Sequence, residues 1–325
     1  MMRLRYLLLA AGILIAALFV ARGASAGAAR IDSLSSSELG LMALALGLGV
    51  GAVAGLGLAW IALLRFLKVP GLGAAAFRLF AYTWLARYIP GTIPYHASRL
   101  MLAETMGASR GRVVASIAYE TVLALSSAAA VGAIGVLLAL GTDVESSSTY
   151  LLAILPLAAL PVLVHPRLLV PAANRLLALA RRVALTQEAL LTHRQTSYVF
   201  VAYAVVHCLN GLAFYFVLQA VTDSASVSLP LAVGVYGLSS AAGVAVPLVP
   251  SGLGVREAVI VGILGVSMPA ETALVVAGAA RAVSVAADVA FVSLFAVIHA
   301  GVVAAGRLSR KDVPAPDGRG REIAA

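Results

Sequence analysis

Residues 39–64 read LGLMALALGLGVGAVAGLGLAWIALL, a run without one ionisable side chain. Coiled as a helix at about 1.5 Å per residue it is ~39 Å long, more than the roughly 30 Å hydrocarbon core of a bilayer. A helix half in water would show polar residues at helical spacing along one face, and this stretch has none to show. Comparable apolar segments lie at 6–20, 113–140, 150 to about 170, 197–220, 227–249 and 272–303. The composition agrees: 62% hydrophobic, 11% charged, mean hydropathy +1.00, against about 25% charged residues in a soluble domain. The expected fold class is therefore all-α, a polytopic membrane helix bundle.

Two further stretches, 79–100 and 250–268, are apolar but interrupted by Pro, Gly and Arg. If the second crosses, the count is about eight transmembrane helices and both termini are cytoplasmic. If it only re-enters, the basic tail falls outside. We take the first, with two broken or re-entrant Pro/Gly segments in the bundle. Segment 6–20, behind Arg3 and Arg5 and ahead of Gly23-Ala24-Ser25-Ala26, reads as a retained helix or as a cleaved signal peptide. The domains expected are a transmembrane unit, 1–305, and a charged, Pro- and Gly-rich tail, 306–325, disordered by composition.

The net charge of +9 sits between apolar segments rather than on an amphipathic face, which excludes a nucleic-acid partner and fits the excess of Lys and Arg in cytoplasmic loops. The clusters are Arg3 and Arg5; Arg65, Lys68 and Arg78; Arg99, Arg110 and Arg112; Arg167, Arg175, Arg181, Arg182 and Arg194; and the tail. Asp32, Glu38, Asp143, Glu145 and Asp223 mark the other side. A multi-pass protein of the cell (plasma) membrane is expected. Cys208, the single cysteine, offers no internal disulfide. Gly47, Gly51 and Gly55 share one helix face and predict close helix packing.

Ionisable groups inside spans cost roughly 2.5–3.5 kcal/mol on insertion scales, so each needs a reason. Glu120 is the only charge in 113–140, and it either holds an arginine from another helix or carries a proton. Arg281 and Asp288 lie on nearly one face of the last span and read either as partners in ion pairs, with each other or across helices, or as transport residues. His207, beside Asn210, reads as a hydrogen-bonded core residue.

The broken stretches are Arg87-Tyr88-Ile89-Pro90-Gly91-Thr92-Ile93-Pro94-Tyr95-His96-Ala97-Ser98-Arg99 and Val249-Pro250-Ser251-Gly252-Leu253-Gly254-Val255-Arg256-Glu257. Proline removes a backbone donor, so helices break there, and at membrane depth the freed groups must be buried in protein or line a cavity. Breaks paired across two halves point to a transporter's binding site. Arginine suits phosphate because its planar fork donates two parallel hydrogen bonds, and a half-helix N-terminus adds partial positive charge. Arg256 beside Glu257 is the strongest candidate, whereas Arg87 and Arg99 also read as side chains snorkelling to the cytoplasmic surface. No metal spacing, ordered nucleophile or phosphate loop stands nearby, so no cofactor, metal or catalytic residue is expected.

Val249–Glu257 resembles the Pro-Gly-Gly-Leu-Gly-Val-Arg-Glu signature of the lysylphosphatidylglycerol synthase transmembrane-region family, the flippase-like domains. The likeness continues in Arg87-Tyr88-Ile89-Pro90-Gly91, in Glu120 and in Arg281, and covers roughly 4–303. Two positions depart: Ser251 stands where the family often has glycine, and Thr121 follows Glu120 where arginine is common. The resemblance implies a membrane protein that moves an anionic or polyprenyl-phosphate-linked lipid between leaflets. Members that make lysyl lipids carry a soluble aminoacyl-transfer domain after the membrane part; the sequence here extends only to Ala325, so the translocation part, not a synthase activity, is the expectation.

The expected function is a lipid flippase or facilitator, not an enzyme, whose substrate-binding residues are Arg256, Glu257, Arg281, Glu120, Arg87, Arg99, Pro90, Gly91, Gly252 and Gly254. Glu120 and Asp288 are its proton or ion-pair groups, and a membrane lipid with a phosphate head group is its partner. The alternative is an accessory subunit or enzyme in lipid-linked glycan assembly, working with a glycosyltransferase or lipid-modifying enzyme.

Overall fold

A computed structural model describes residues 35–69, 74–88, 93–105, 107–140, 191–222, 227–246 and 249–311. The segments 6–20 and 150–170, Pro90 and Gly91, Asp32, Asp143, Glu145 and Asp223, and the basic positions Arg3, Arg5, Arg167, Arg175, Arg181 and Arg182 lie outside the described residues. Those described form eight helices and no strand: α1 (Ser36–Phe66), α2 (Ala74–Trp84), α3 (Ile93–Thr105), α4 (Arg110–Leu140), α5 (His193–Val221), α6 (Leu229–Ala245), α7 (Val255–Leu264) and α8 (Ala270–Lys311). Short 3-10 turns occupy Leu85–Tyr88 and Pro250–Gly252. Capping boxes open α1, through Ser35 and Glu38, and α5, through Thr192 and Gln195. They satisfy backbone donors that would otherwise be orphaned where each helix begins.

Four helices, α1, α4, α5 and α8, are long and apolar enough to cross a membrane. Leu44, Leu58, Leu138, Val297 and Val302 are exposed, while Ser116, Ser126, Ser239, Arg99, Glu257, Arg281 and Asp288 are buried. That distribution suits a hydrocarbon solvent, in which polar groups gain by facing one another inside the bundle.

Side-chain contacts give the directions of the helices. Arg112 at the start of α4 donates to the carbonyl of Lys68 just past α1, at 2.5 Å, and Tyr198 early in α5 meets Phe66 at 5.9 Å. Both helices therefore run back against α1. α6 is antiparallel to α4, Gly234 lying against Gly135 and Gly237 against Gly132. α8 runs with α1: Ala287 meets Gly49, and farther along, Phe295 and His299 reach Phe77 and Arg78. One end of the bundle thus gathers Arg65, Lys68, Arg78, Arg110, Arg112 and Arg194, and the other holds Glu38 and Glu271.

The remaining helices form two hairpins that enter from opposite ends. α2 and α3, eleven and thirteen residues long, each rise about 16–20 Å and turn back within the bundle, with Tyr95 against Trp84 at 6.0 Å and Arg99 over Phe80 at 5.0 Å. This hairpin starts and finishes at the basic end. α6 starts at the acidic end and stops at Ala245, ahead of Pro247 and Pro250. The ten-residue α7 then returns along it, Gly252 against Gly243 and Arg256 over the Tyr236 ring at 4.8 Å. The tips of the two hairpins touch.

Three expectations change. Segment 250–268 re-enters, yet the tail does not fall at the opposite end. α6 turns back with α7 instead of crossing alone, so α8 still carries the chain to the basic end. The helix also continues to Lys311, beyond the tail boundary at 306; 312–325 lie outside the described residues. Finally, Gly47 and Gly51 face open space. Gly49, Gly55 and Gly57 make the contacts of α1 instead, to Ala287, Val206 and Phe80. A four-residue step overshoots the 3.6-residue turn, so the 47–51–55 stripe drifts off the packed face.

The tightest helix contact joins α4 to α6, where a Cβ on Gly234 would lie 2.6 Å from the Val136 nitrogen. Backbone cannot yield as a side chain does. Gly234→Ala is expected to lower stability in micelles by about 2 kcal/mol, read from denaturant midpoints. Gly262→Ala, whose Cβ meets nothing within 4 Å, should not.

Candidate functional site

The hairpin tips bring the charged residues together. Arg99, on α3, is fully buried and donates to Glu120 of α4 at 2.5 Å. Its guanidinium also lies over the rings of Tyr95 at 4.2 Å, Trp60 at 4.4 Å and Phe80. Of the two readings open for Arg99, the snorkelling one does not describe it: α3 folds inward, and a buried carboxylate and three aromatic faces replace water. Glu120 holds an arginine from another helix, the first of the two roles open to it.

Arg281 and Asp288 do not pair with each other. Asp288 accepts from Trp84 Nε1 at 2.8 Å and Tyr88 Oη at 2.5 Å, and Arg87 stands 3.9 Å away. Arg281 donates to the Ser251 carbonyl at 3.2 Å and lies 3.7 Å from Glu257. α8 therefore grips both tips, the first through Asp288 and the second through Arg281. Arg281 lies eleven residues into α8, about 16 Å along its axis, near the middle of a ~30 Å core.

Glu257 also accepts the Gly254 N–H at 2.6 Å. The N-terminal donor of α7 expected to face a phosphate is thus taken by the helix's own carboxylate. Arg256 differs from the other three arginines: it donates to Ser240 at 3.0 Å and covers Tyr236, but among the described residues no carboxylate lies within 4.0 Å of it. Gly243 and Gly252 make room for its stem, a Cβ on Gly243 coming 2.7 Å from Arg256 Cγ.

A cavity of about 250 Å³ opens where the tips meet. Arg87, Glu120, Gly252 and Arg256 line it, with Trp84, Tyr95, His96, Tyr203, His207 and Ser240; the exposed Thr121 and Val244 form its rim. Arg99, Glu257, Arg281, Asp288 and Gly254 stand behind the wall and hold it. Pro90 and Gly91 lie outside the described residues. His207 reaches the Ala124 carbonyl at 3.1 Å, as a core histidine would, yet faces the cavity too. Tyr203 Oη and His96 Nδ1 are buried without a hydrogen-bond partner. Among the described residues no three His, Cys, Asp or Glu side chains gather as a metal site.

A model of the family described as Lysylphosphatidylglycerol synthase TM region matches residues 7–292. The chain belongs to this family. Membership ties this multi-pass membrane protein to lipid or glycolipid handling, by a region that is generally not catalytic on its own. No match is found among curated proteins. A glycine at 251, as the resemblance implies, would have a physical reason. Ser251 has φ 50° and ψ 27°, left-handed values that strain a side chain by about 1–3 kcal/mol. Ser251→Gly is expected to raise stability by about 1 kcal/mol, visible as a higher denaturant midpoint with the Arg281 contact intact, since that contact uses the backbone carbonyl.

The aromatic and neutral polar wall, Trp84, Tyr95, His96, Tyr203 and Ser240, was not singled out from the sequence. Nothing in spacing distinguishes these residues from ordinary packing. Only the hairpin turns bring 84, 95 and 203 to one cavity.

Proposed function

We propose that this protein moves, or helps to move, an anionic phospholipid or polyprenyl-phosphate-linked sugar between leaflets, its phosphate received in the cavity at Arg256. One observation carries the reading: two hairpins from opposite ends of the bundle meet at mid-depth around a cavity whose Arg256 has no carboxylate within 4.0 Å among the described residues. Broken helices paired in opposed orientation are how many transporters place a site reachable from either side. A guanidinium with donors to spare is a natural receiver for phosphate oxygens.

Leaflet exchange of acyl-labelled anionic lipid in proteoliposomes tests this. Exchange above protein-free vesicles, dependent on Arg256, supports it; exchange at the protein-free rate with all these lipids sinks it.

We place the basic end, and with it the C-terminal tail, on the cytoplasmic face of the cell membrane by the excess of Lys and Arg there; a retained first helix returns the N-terminus to the same side. In a Cys208→Ala background, a cysteine at Ser35 should react with an impermeant maleimide on intact cells. One at Arg194 should react only after permeabilisation, and the reverse pattern inverts the assignment.

A further inference from the structure

The hairpin tips, α4 and α8 contribute seven charged side chains that face one another. The four guanidiniums are Arg87, Arg99, Arg256 and Arg281, and the three carboxylates are Glu120, Glu257 and Asp288. Each carboxylate already has partners: Glu120 accepts from Arg99, Glu257 accepts the Gly254 N–H and stands in ion-pair range of Arg281, and Asp288 accepts from Trp84 and Tyr88 with Arg87 in ion-pair range. The described cluster therefore carries one guanidinium more than it has carboxylates, and of the two arginines that line the cavity, Arg87 and Arg256, it is Arg256 that has no carboxylate within 4.0 Å among the described residues.

An uncompensated charge in a low-dielectric interior is costly, and it is relieved by a guest of equal and opposite charge. We propose that the cavity selects a phosphodiester head group bearing a single negative charge, such as a phosphoglycerol or a sugar phosphodiester. This rests on the translocation reading above and narrows its substrate. A phosphomonoester carries about −1.5 to −2 at neutral pH and would leave net negative charge in the site. A zwitterionic head group leaves the positive charge unrelieved, and an aminoacylated, cationic phospholipid adds to it.

Trp84 lines the cavity, and the chain has only one other tryptophan, Trp60, so intrinsic fluorescence reports occupancy independently of transport. The full chain in detergent is titrated with short-chain phosphatidylglycerol, phosphatidic acid, phosphatidylcholine and lysyl-phosphatidylglycerol, and the same head groups are then followed in leaflet exchange. Phosphatidylglycerol is expected to bind at least tenfold more tightly than each of the others. Arg87→Gln, at a side chain 26% exposed, brings the cluster to neutrality and should shrink the preference over phosphatidylcholine to less than threefold. Asp288→Asn adds a positive charge and should move the preference toward phosphatidic acid. Equal binding of all four lipids, tighter binding of phosphatidic acid by the wild type, or preferences that both variants leave unchanged overturn the charge assignment, even if exchange proceeds. Selective binding of phosphatidylglycerol without any exchange keeps it and removes the translocation reading instead.

Discussion

Arg99→Met destabilises the protein by about 3–5 kcal/mol, and the double change Arg99→Met with Glu120→Leu recovers most of that loss. The first half follows from what remains: Glu120, its side chain only 13% exposed, loses its guanidinium, and a buried charge stripped of its partner costs about that much. The second follows because methionine and leucine leave no charge to desolvate, and methionine still packs against Trp60, Phe80 and Tyr95. Two Arg99 nitrogens already lack partners, so the pair contributes little beyond a well-packed apolar replacement. Denaturant unfolding in micelles of the two single variants and the double gives the coupling directly. Additive effects of the two single changes would mean that Arg99 and Glu120 do not act as a pair. The double variant also separates structure from function. If Glu120 serves only to hold α3 against α4, lipid exchange survives in the refolded double; if its cavity-facing oxygen contacts the guest, exchange falls while stability returns.

Much of this was legible before any coordinates, and the rest was hidden for identifiable reasons. Apolar length shows a spanning helix directly, so α1, α4, α5 and α8 follow from residues 39–64, 113–140, 197–220 and 272–303. Pro and Gly announced both breaks. What they do not announce is direction. A segment such as 250–268 has the same composition whether it crosses or returns, and the choice depends on α6 being too short to cross ahead of it. Charge behaved likewise. The ionisable residues in 113–140 and 272–303 were conspicuous because lipid penalises them, but partners two hundred positions apart, as Tyr88 and Asp288 are, leave no local trace. Arg99 was misplaced among surface arginines because a basic residue near a helix break looks the same whether it faces headgroups or three aromatic rings. Arg256 stood out beside Glu257, and the structure sets Glu257 3.7 Å from Arg281 while Arg256 turns to Ser240 and the cavity, an arrangement that spacing alone does not reveal.

Arg256→Ala lowers the exchange of anionic lipid by roughly ten- to a hundredfold while leaving the fold intact, and Arg256→Lys falls between. The magnitude comes from removing hydrogen bonds to a charged guest, worth about 1.5–3 kcal/mol, in a site with little water to take their place. Structural damage stays small because, among the described residues, no carboxylate lies within 4.0 Å of Arg256: its near polar partners are the hydroxyls of Ser240 and Tyr236, and a serine hydroxyl can turn to its own helix carbonyls. That contrasts with Arg99, whose loss strands Glu120, and it is why the two arginines separate transport from stability. Lysine keeps the charge but not the planar fork, so it restores attraction without bidentate geometry. The measurement is initial exchange rate in proteoliposomes at matched protein content, beside denaturant midpoints for all three proteins. Wild-type exchange by a well-folded Arg256→Ala protein would remove the residue from the site. A loss of exchange that tracks a lowered midpoint would make Arg256 a brace between α6 and α7 rather than the receiver of the phosphate.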